Sequence, residues 1–145
     1  MPDAAWIRNA SFNNIWAEVI DPLLLRSLRS QDGSEFAAPV ADLLTLWLLY
    51  NVACRSGLSA LVLQEPPWIV ARVATAARAL GHERIAALWE EATRGMDLPA
   101  WFGVFEIPFT SRAALDQLER ELVDGDLNRE LVEWLRDHAE QFADA

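Results

Sequence analysis

The chain has 145 residues, of which 52% are hydrophobic and 23% are charged, and its formal net charge at pH 7 is −10. These proportions are those of a folded globular protein rather than a disordered one, and the length suits one domain with a sizeable core. A net charge this negative argues against direct binding to nucleic acid or to an anionic membrane, because both would repel the chain. The same negative charge favours a basic protein partner.

The cysteine content and the hydropathy of the sequence predict the cellular compartment of the protein. Cys54 is the only cysteine, so the chain cannot form an internal disulfide, which fits a reducing compartment. Residues 1–12 lack the basic and apolar regions of a secretory signal. Residues 36–54 are the most apolar stretch, but Pro39, Asp42 and Asn51 interrupt them, so they are too broken to span a membrane. We therefore expect a cytoplasmic protein without a membrane partner.

Hydrophobic spacing predicts helices over most of the chain. The first covers residues 16–28, where Pro22 is expected to kink or split it. Residues 39–54 are apolar nearly all round, which places that helix at the centre of a bundle. Gly57 is expected to stop it. Further helical segments are predicted at residues 58–63, 68–80, 82–94, 112–123 and 129–142.

These segments predict an all-α fold, a compact single-domain bundle of six or seven helices over residues 1–145. Residues 1–12 show no comparable pattern, which leaves open a loosely ordered N-terminal arm. Residues 96–111 are irregular and rich in aromatic side chains.

Acidic residues concentrate towards the end of the chain, since residues 101–145 hold eleven of them and only four arginines. At about 100° per residue, the predicted last helix carries its apolar residues on one side. The other side carries carboxylates at spacings of three and four residues: Glu130, Glu133, Asp137, Glu140 and Asp144. Asp116 and Glu119 on the preceding helix are expected to extend this acidic face.

The acidic face predicts a protein that binds a basic partner. Carboxylates on such a stripe stand roughly 5 Å apart along the helix axis. A DNA strand presents a phosphate about every 3.4 Å, so a second acidic row would bring the two charge densities closer. A DNA mimic that occupies a basic DNA-binding protein is therefore the specific form of this hypothesis. The alternative is that the acidic face serves only solubility.

The aromatic segment at residues 101–109 offers a second hypothesis. A loop this apolar packs either on its own domain or on a partner. In the second case the protein is of an immunity or adaptor type, and its partner-binding residues are Trp101, Phe102, Phe105 and Phe109.

No residue pattern points to catalysis. His82 and His138 lie far apart in sequence, and neither belongs to a metal-binding motif. Cys54, on the apolar helix, is expected to be a small buried hydrophobe. The sequence contains no glycine-rich phosphate loop and no nucleophile elbow. We expect no enzyme activity, no metal and no organic cofactor.

Three segments also carry a family resemblance: residues 76–92, 115–122 and 126–142, which follow a helix ending at the Gly57 turn and a proline-started helix. Their order and spacing resemble a bacterial domain-of-unknown-function family that includes a dimeric DNA-mimic protein. The resemblance covers residues 16–142. It implies an all-α fold and leaves open a homodimer that occupies a DNA-binding protein. The Arg55-Ser56-Gly57 turn and the long irregular segment at residues 96–111 depart from the family pattern.

Overall fold

Helices make up 74% of the described residues in the computed structural model, which describes residues 1–98 and 107–145, with the backbone alone at residues 62–64. These ranges contain no strand, which confirms the all-α prediction. Nor does any helix in them have the length and apolar character needed to cross a bilayer. The elements are α1 (Ala4–Asn9), α2 (Phe12–Ile15), a π-helical stretch (Trp16–Ile20), α3 (Asp21–Arg29), α4 (Ala38–Arg55), α5 (Ser59–Gln64), α6 (Pro67–Ala79), α7 (Glu83–Thr93), α8 (Arg112–Asp124), α9 (Leu127–Asp137) and α10 (Ala139–Ala143).

The helix α4 lies at the centre because it has almost no polar face. Its Trp47 is completely buried. The helices α3, α5, α6, α8, α9 and α10 all contact α4. The prediction of a central helix over residues 39–54 is therefore confirmed. Asp42 is a buried carboxylate on α4, and the Nε of Arg72 on α6 donates to it at 2.7 Å. This partner compensates for the loss of water around the carboxylate.

The first predicted helix runs on through Pro22 and does not split there. A π-helical stretch precedes it, in which the N–H of Asp21 donates to the carbonyl of Trp16. In a regular α-helix the proline ring would clash with the carbonyl of Glu18, four residues earlier. We attribute the π-helical turn to this conflict, because a wider turn lets the helical run continue.

Residues 4–9 form a packed helix, so the expectation of a loosely ordered arm is wrong for this part of residues 1–12. The Oδ1 of Asp3 accepts the backbone N–H of Trp6 at 2.8 Å and caps the helix. Ile7 is completely buried, and α1 packs against α9 and α10. Arg8 forms an ion pair with Glu140. A helix of six residues is too short to show a hydrophobic period, which explains the wrong prediction.

The last predicted helix, residues 129–142, is divided into α9 and α10 at His138. The imidazole Nδ1 lies 2.7 Å from the carbonyl oxygen of Trp134, and the two rings stack with centroids 3.8 Å apart. Leu135 and Phe142, on either side of the break, are both fully buried. The two short helices therefore keep a common apolar side despite the interruption.

The turn between α3 and α4 packs on a tryptophan of α6. Gly33 in this turn has a φ of +74°, and a Cβ at this position would lie 2.6 Å from the Cε3 atom of Trp68. Phe36 stacks on the same indole with centroids 6.2 Å apart, and the guanidinium of Arg26 lies 5.2 Å from the Phe36 ring centroid. The turn thus requires glycine for both its backbone angle and its close approach.

Candidate interaction surface

The helices α9 and α10 present a row of carboxylates to solvent. The side chains of Glu130, Glu133 and Glu140 are 56%, 60% and 69% exposed. Asp137 and Asp144 are exposed as well. All five are exposed, whereas Leu131, Leu135 and Phe142 of the same two helices are buried. We call these five residues the α9–α10 acidic surface.

Three of the five carboxylates have a basic neighbour. Glu133 pairs with Arg136 at 2.9 Å, on the same helix. Glu130 lies 3.4 Å from the Nε2 of His82, which carries charge only when protonated. The hydrogen bond from Arg8 lowers the pKa of Glu140, so this carboxylate stays ionised in mildly acidic solution.

The other two carboxylates, Asp137 and Asp144, take part in no ion pair with any residue that the structure describes. They are the members of the surface most available to a cation from outside. The carboxylate of each of the three pairs is solvent-exposed, and pairs that water reaches typically contribute about 0–1 kcal/mol. An approaching basic group can therefore compete with them as well.

The two predicted residues on α8 do not form a second acidic row beside this surface. Asp116 lies 3.6 Å from Arg112 one turn earlier on the same helix. The Oε1 of Glu119 accepts the backbone N–H of Leu58 at 2.5 Å, and it lies 3.2 Å from where a Cβ on Gly57 would stand. The helix α8 packs mainly on α7 and α4. Glu119 therefore faces the turn between α4 and α5, where its hydrogen bond to Leu58 stabilises the turn.

A further carboxylate of α8 does approach the start of α9. Glu121 accepts from the Nε of Arg84 at 2.6 Å, and both line a groove of about 200 Å³ with His82, Asp126 and Glu130. Sequence reasoning missed Arg84 and Arg8 as countercharges. No local signal could have found them, because these pairs join residues 37 and 132 positions apart.

The aromatic hypothesis rests largely on residues outside the described ranges, since Trp101, Phe102 and Phe105 all fall there. Phe109 is described. It is half-buried, and its ring meets Trp89 of α7 edge-on with centroids 6.5 Å apart. This residue therefore packs on its own domain.

The structure corrects one expectation about Cys54. Cys54 is exposed in the last turn of α4, so the expectation that it is buried is wrong. The helix continues beyond the core at this end, which a locally apolar pattern cannot reveal. Within residues 1–98 and 107–145, no three His, Cys, Asp or Glu side chains are placed to hold a metal ion.

Comparisons with protein-family models, with curated proteins and with solved structures find no match to this chain. The resemblance to the DNA-mimic-containing family thus stays a prediction.

Proposed function

We propose that this protein is a non-enzymatic interaction protein whose α9–α10 acidic surface binds a basic protein partner. The observation that carries the proposal is that five carboxylates on α9, on α10 and directly after α10 are all exposed, while the apolar residues of both helices are buried. The buried residues of α9 and α10 hold these carboxylates outwards, so the charges are arranged before a partner arrives. Such preorganisation lowers the cost of binding.

The negative charge of residues 126–145 supports long-range electrostatic attraction of a basic partner. Residues 126–145 contain six acidic residues and two arginines. At an ionic strength of 0.1 M the field of exposed charges extends about 10 Å before screening dominates. A field of this kind raises the association rate of an oppositely charged partner more than it raises the affinity.

A DNA-binding protein is the partner class that we propose within this description. Its surface is built to meet negative charges at a spacing of a few ångströms, and the acidic surface supplies carboxylates roughly 5 Å apart along α9. Because α8 supplies no second row, the surface corresponds to one strand of phosphates rather than to both. We therefore expect it to occupy part of a DNA-binding site.

Neutral substitutions of the two unpaired aspartates give the sharpest test. Asp137→Asn with Asp144→Asn removes two charges without breaking an ion pair. Reversing Glu133 or Glu140 would instead place a positive charge beside Arg136 or Arg8 and disturb the fold. The measurement is the affinity for a basic protein isolated from the native cell by pull-down, at low and at high salt. We expect a loss of about tenfold at low salt, roughly 1.4 kcal/mol, that shrinks as salt rises.

A matched control separates the surface from net charge. Glu91 and Asp97 are exposed and lie at the α7 end of the molecule, outside the proposed surface. Glu91→Gln with Asp97→Asn removes the same charge and should leave affinity unchanged. Equal losses in both double variants would show that only net charge matters, which would defeat the proposal.

Duplex DNA tests the narrower part of the proposal. Added DNA should displace the isolated partner from the immobilised protein at constant ionic strength. A partner that stays bound to the protein in excess DNA would rule out mimicry, while the salt-sensitive role of Asp137 and Asp144 would still be measured separately.

A further inference from the structure

A second negatively charged site lies at the start of the chain. A shallow groove of about 520 Å³ separates α1 from the helical run that begins with α2. We call it the N-terminal groove. It is lined by Pro2, Asp3, Trp6, Asn14 and Glu18.

The two carboxylates of this groove have no basic partner among the described residues that line it. Its two carboxylates, on Asp3 and Glu18, are exposed and make no ion pair with any described residue. No basic side chain lines the groove, whereas the groove beside Phe12 contains Arg129 and Arg136. One oxygen of Asp3 accepts the N–H of the Trp6 backbone, so its other oxygen remains available to a ligand.

Trp6 also lines the groove. Trp6 is 36% exposed, which is high for a large apolar side chain in a chain that buries Trp47 completely. The face of an indole ring attracts cations, and tryptophan is the best of the aromatic residues in this role. An indole beside two carboxylates that lack a countercharge is therefore suited to a cation rather than to an apolar group, whose arrival would strip water from the carboxylates.

We propose that the N-terminal groove seats an arginine side chain of a basic protein partner, with the guanidinium stacked on Trp6 and hydrogen-bonded by Asp3 and Glu18. This inference rests on the proposed function and names an anchor for the same partner. Arginine fits better than lysine because its guanidinium is planar, weakly hydrated and able to donate to two carboxylates at once.

The position of α1 connects the groove to the acidic surface. Trp6 precedes Arg8 by two residues, so their side chains point about 200° apart, to opposite sides of α1. Arg8 forms the ion pair with Glu140, and Ile7 between them is buried against the body of the protein. A partner that contacts the α9–α10 acidic surface and also fills the groove must therefore span α1, a width of about 10 Å.

Short peptides provide a direct test on the full chain. The probes are acetyl-Gly-Arg-Gly-amide and its citrulline counterpart, which has nearly the same shape but no charge. The readout is the indole N–H resonance of Trp6 in the ¹⁵N-labelled protein, assigned by its disappearance in Trp6→Leu. We expect the arginine peptide to shift this resonance in a saturable manner and the citrulline peptide to leave it in place. A lysine peptide should bind more weakly than the arginine peptide.

Three variants test the wall residues. Asp3→Asn retains a side chain that can cap α1 while removing the charge, and Glu18→Gln removes the second charge. Each should weaken the arginine peptide about two- to fivefold, as should Trp6→Leu, in keeping with a cation–π contact at an exposed site. Glu91→Gln should have no effect. The asparagine and glutamine variants decide the question even if Trp6→Leu perturbs α1.

Several outcomes would overturn the inference: an unshifted Trp6 resonance, an equal response to the citrulline peptide, or arginine binding unaffected by both Asp3→Asn and Glu18→Gln. These outcomes are separable from failure of the proposed function. If Asp137→Asn with Asp144→Asn weakens the native partner while the groove variants do not, the groove inference fails alone. If the groove variants weaken the arginine peptide and the native partner while the double aspartate variant has no effect, the acidic surface fails and the groove remains.

Discussion

Replacing Gly33 by alanine should destabilise the protein through a specific collision. The new Cβ would lie 2.6 Å from Trp68, so the ring must retreat by about 0.8 Å to reach the 3.4 Å of ordinary contact. The Trp68 ring also stacks on Phe36, and the guanidinium of Arg26 lies over the Phe36 ring. The displacement is therefore passed on to the whole contact between α3, α4 and α6.

Two energetic contributions can be separated. A left-handed backbone angle costs an L-residue about 1–2 kcal/mol, and the less flexible unfolded chain returns about 0.4–1 kcal/mol. Gly95 has nearly the same φ, +73°, and nothing lies within 4 Å of its added Cβ. Gly95→Ala therefore measures the backbone contribution alone. Gly33→Ala adds the collision, which we put at about 1–3 kcal/mol from the usual cost of overpacking.

Urea unfolding followed by far-UV circular dichroism measures both variants against the parent chain. The difference between Gly33→Ala and Gly95→Ala should be about 1–3 kcal/mol in the free energy of unfolding. For a chain of this size that corresponds to roughly 3 °C in Tm per kcal/mol. Equal stability of the two variants would show that Trp68 moves aside freely, and the steric reasoning would be refuted.

Three further predictions concern single side chains. Burial raises the pKa of Glu65 above its ordinary value of 4.5, and the charge of Arg55 opposes this shift in part. The contribution of this carboxyl to the free energy of unfolding is therefore fully present below pH 4.5, and it is lost as the pH rises through the raised pKa. Glu65→Gln should thus gain stability relative to the parent between pH 4.5 and 7, and parallel pH dependences would contradict this. Glu119→Ala should cost about 1–2 kcal/mol in urea unfolding because the N–H of Leu58 loses its acceptor, against about 0.5 kcal/mol or less for Asp116→Ala. Cys54 should react fully with a thiol reagent in native buffer, and reaction only after unfolding would show that it is buried.

Local patterns in the sequence were sufficient for the helical architecture. A helix without a polar face, residues 39–54, has to be surrounded by other helices, and α4 is. The alternation of apolar and acidic residues beyond Leu127 likewise determines which side of α9 faces water. Both inferences succeed because neighbouring residues on a helix determine its faces without reference to the rest of the chain.

Contacts between distant residues were decided only by the tertiary structure. The sequence places Glu119 and Glu140 on exposed faces, yet one holds the start of α5 and the other binds Arg8 from the opposite end of the chain. Helical periodicity shows which direction a side chain points, but the packing of whole helices decides what it meets there. For that reason the acidic row was predictable, whereas its partial neutralisation and the groove beside Trp6 were not.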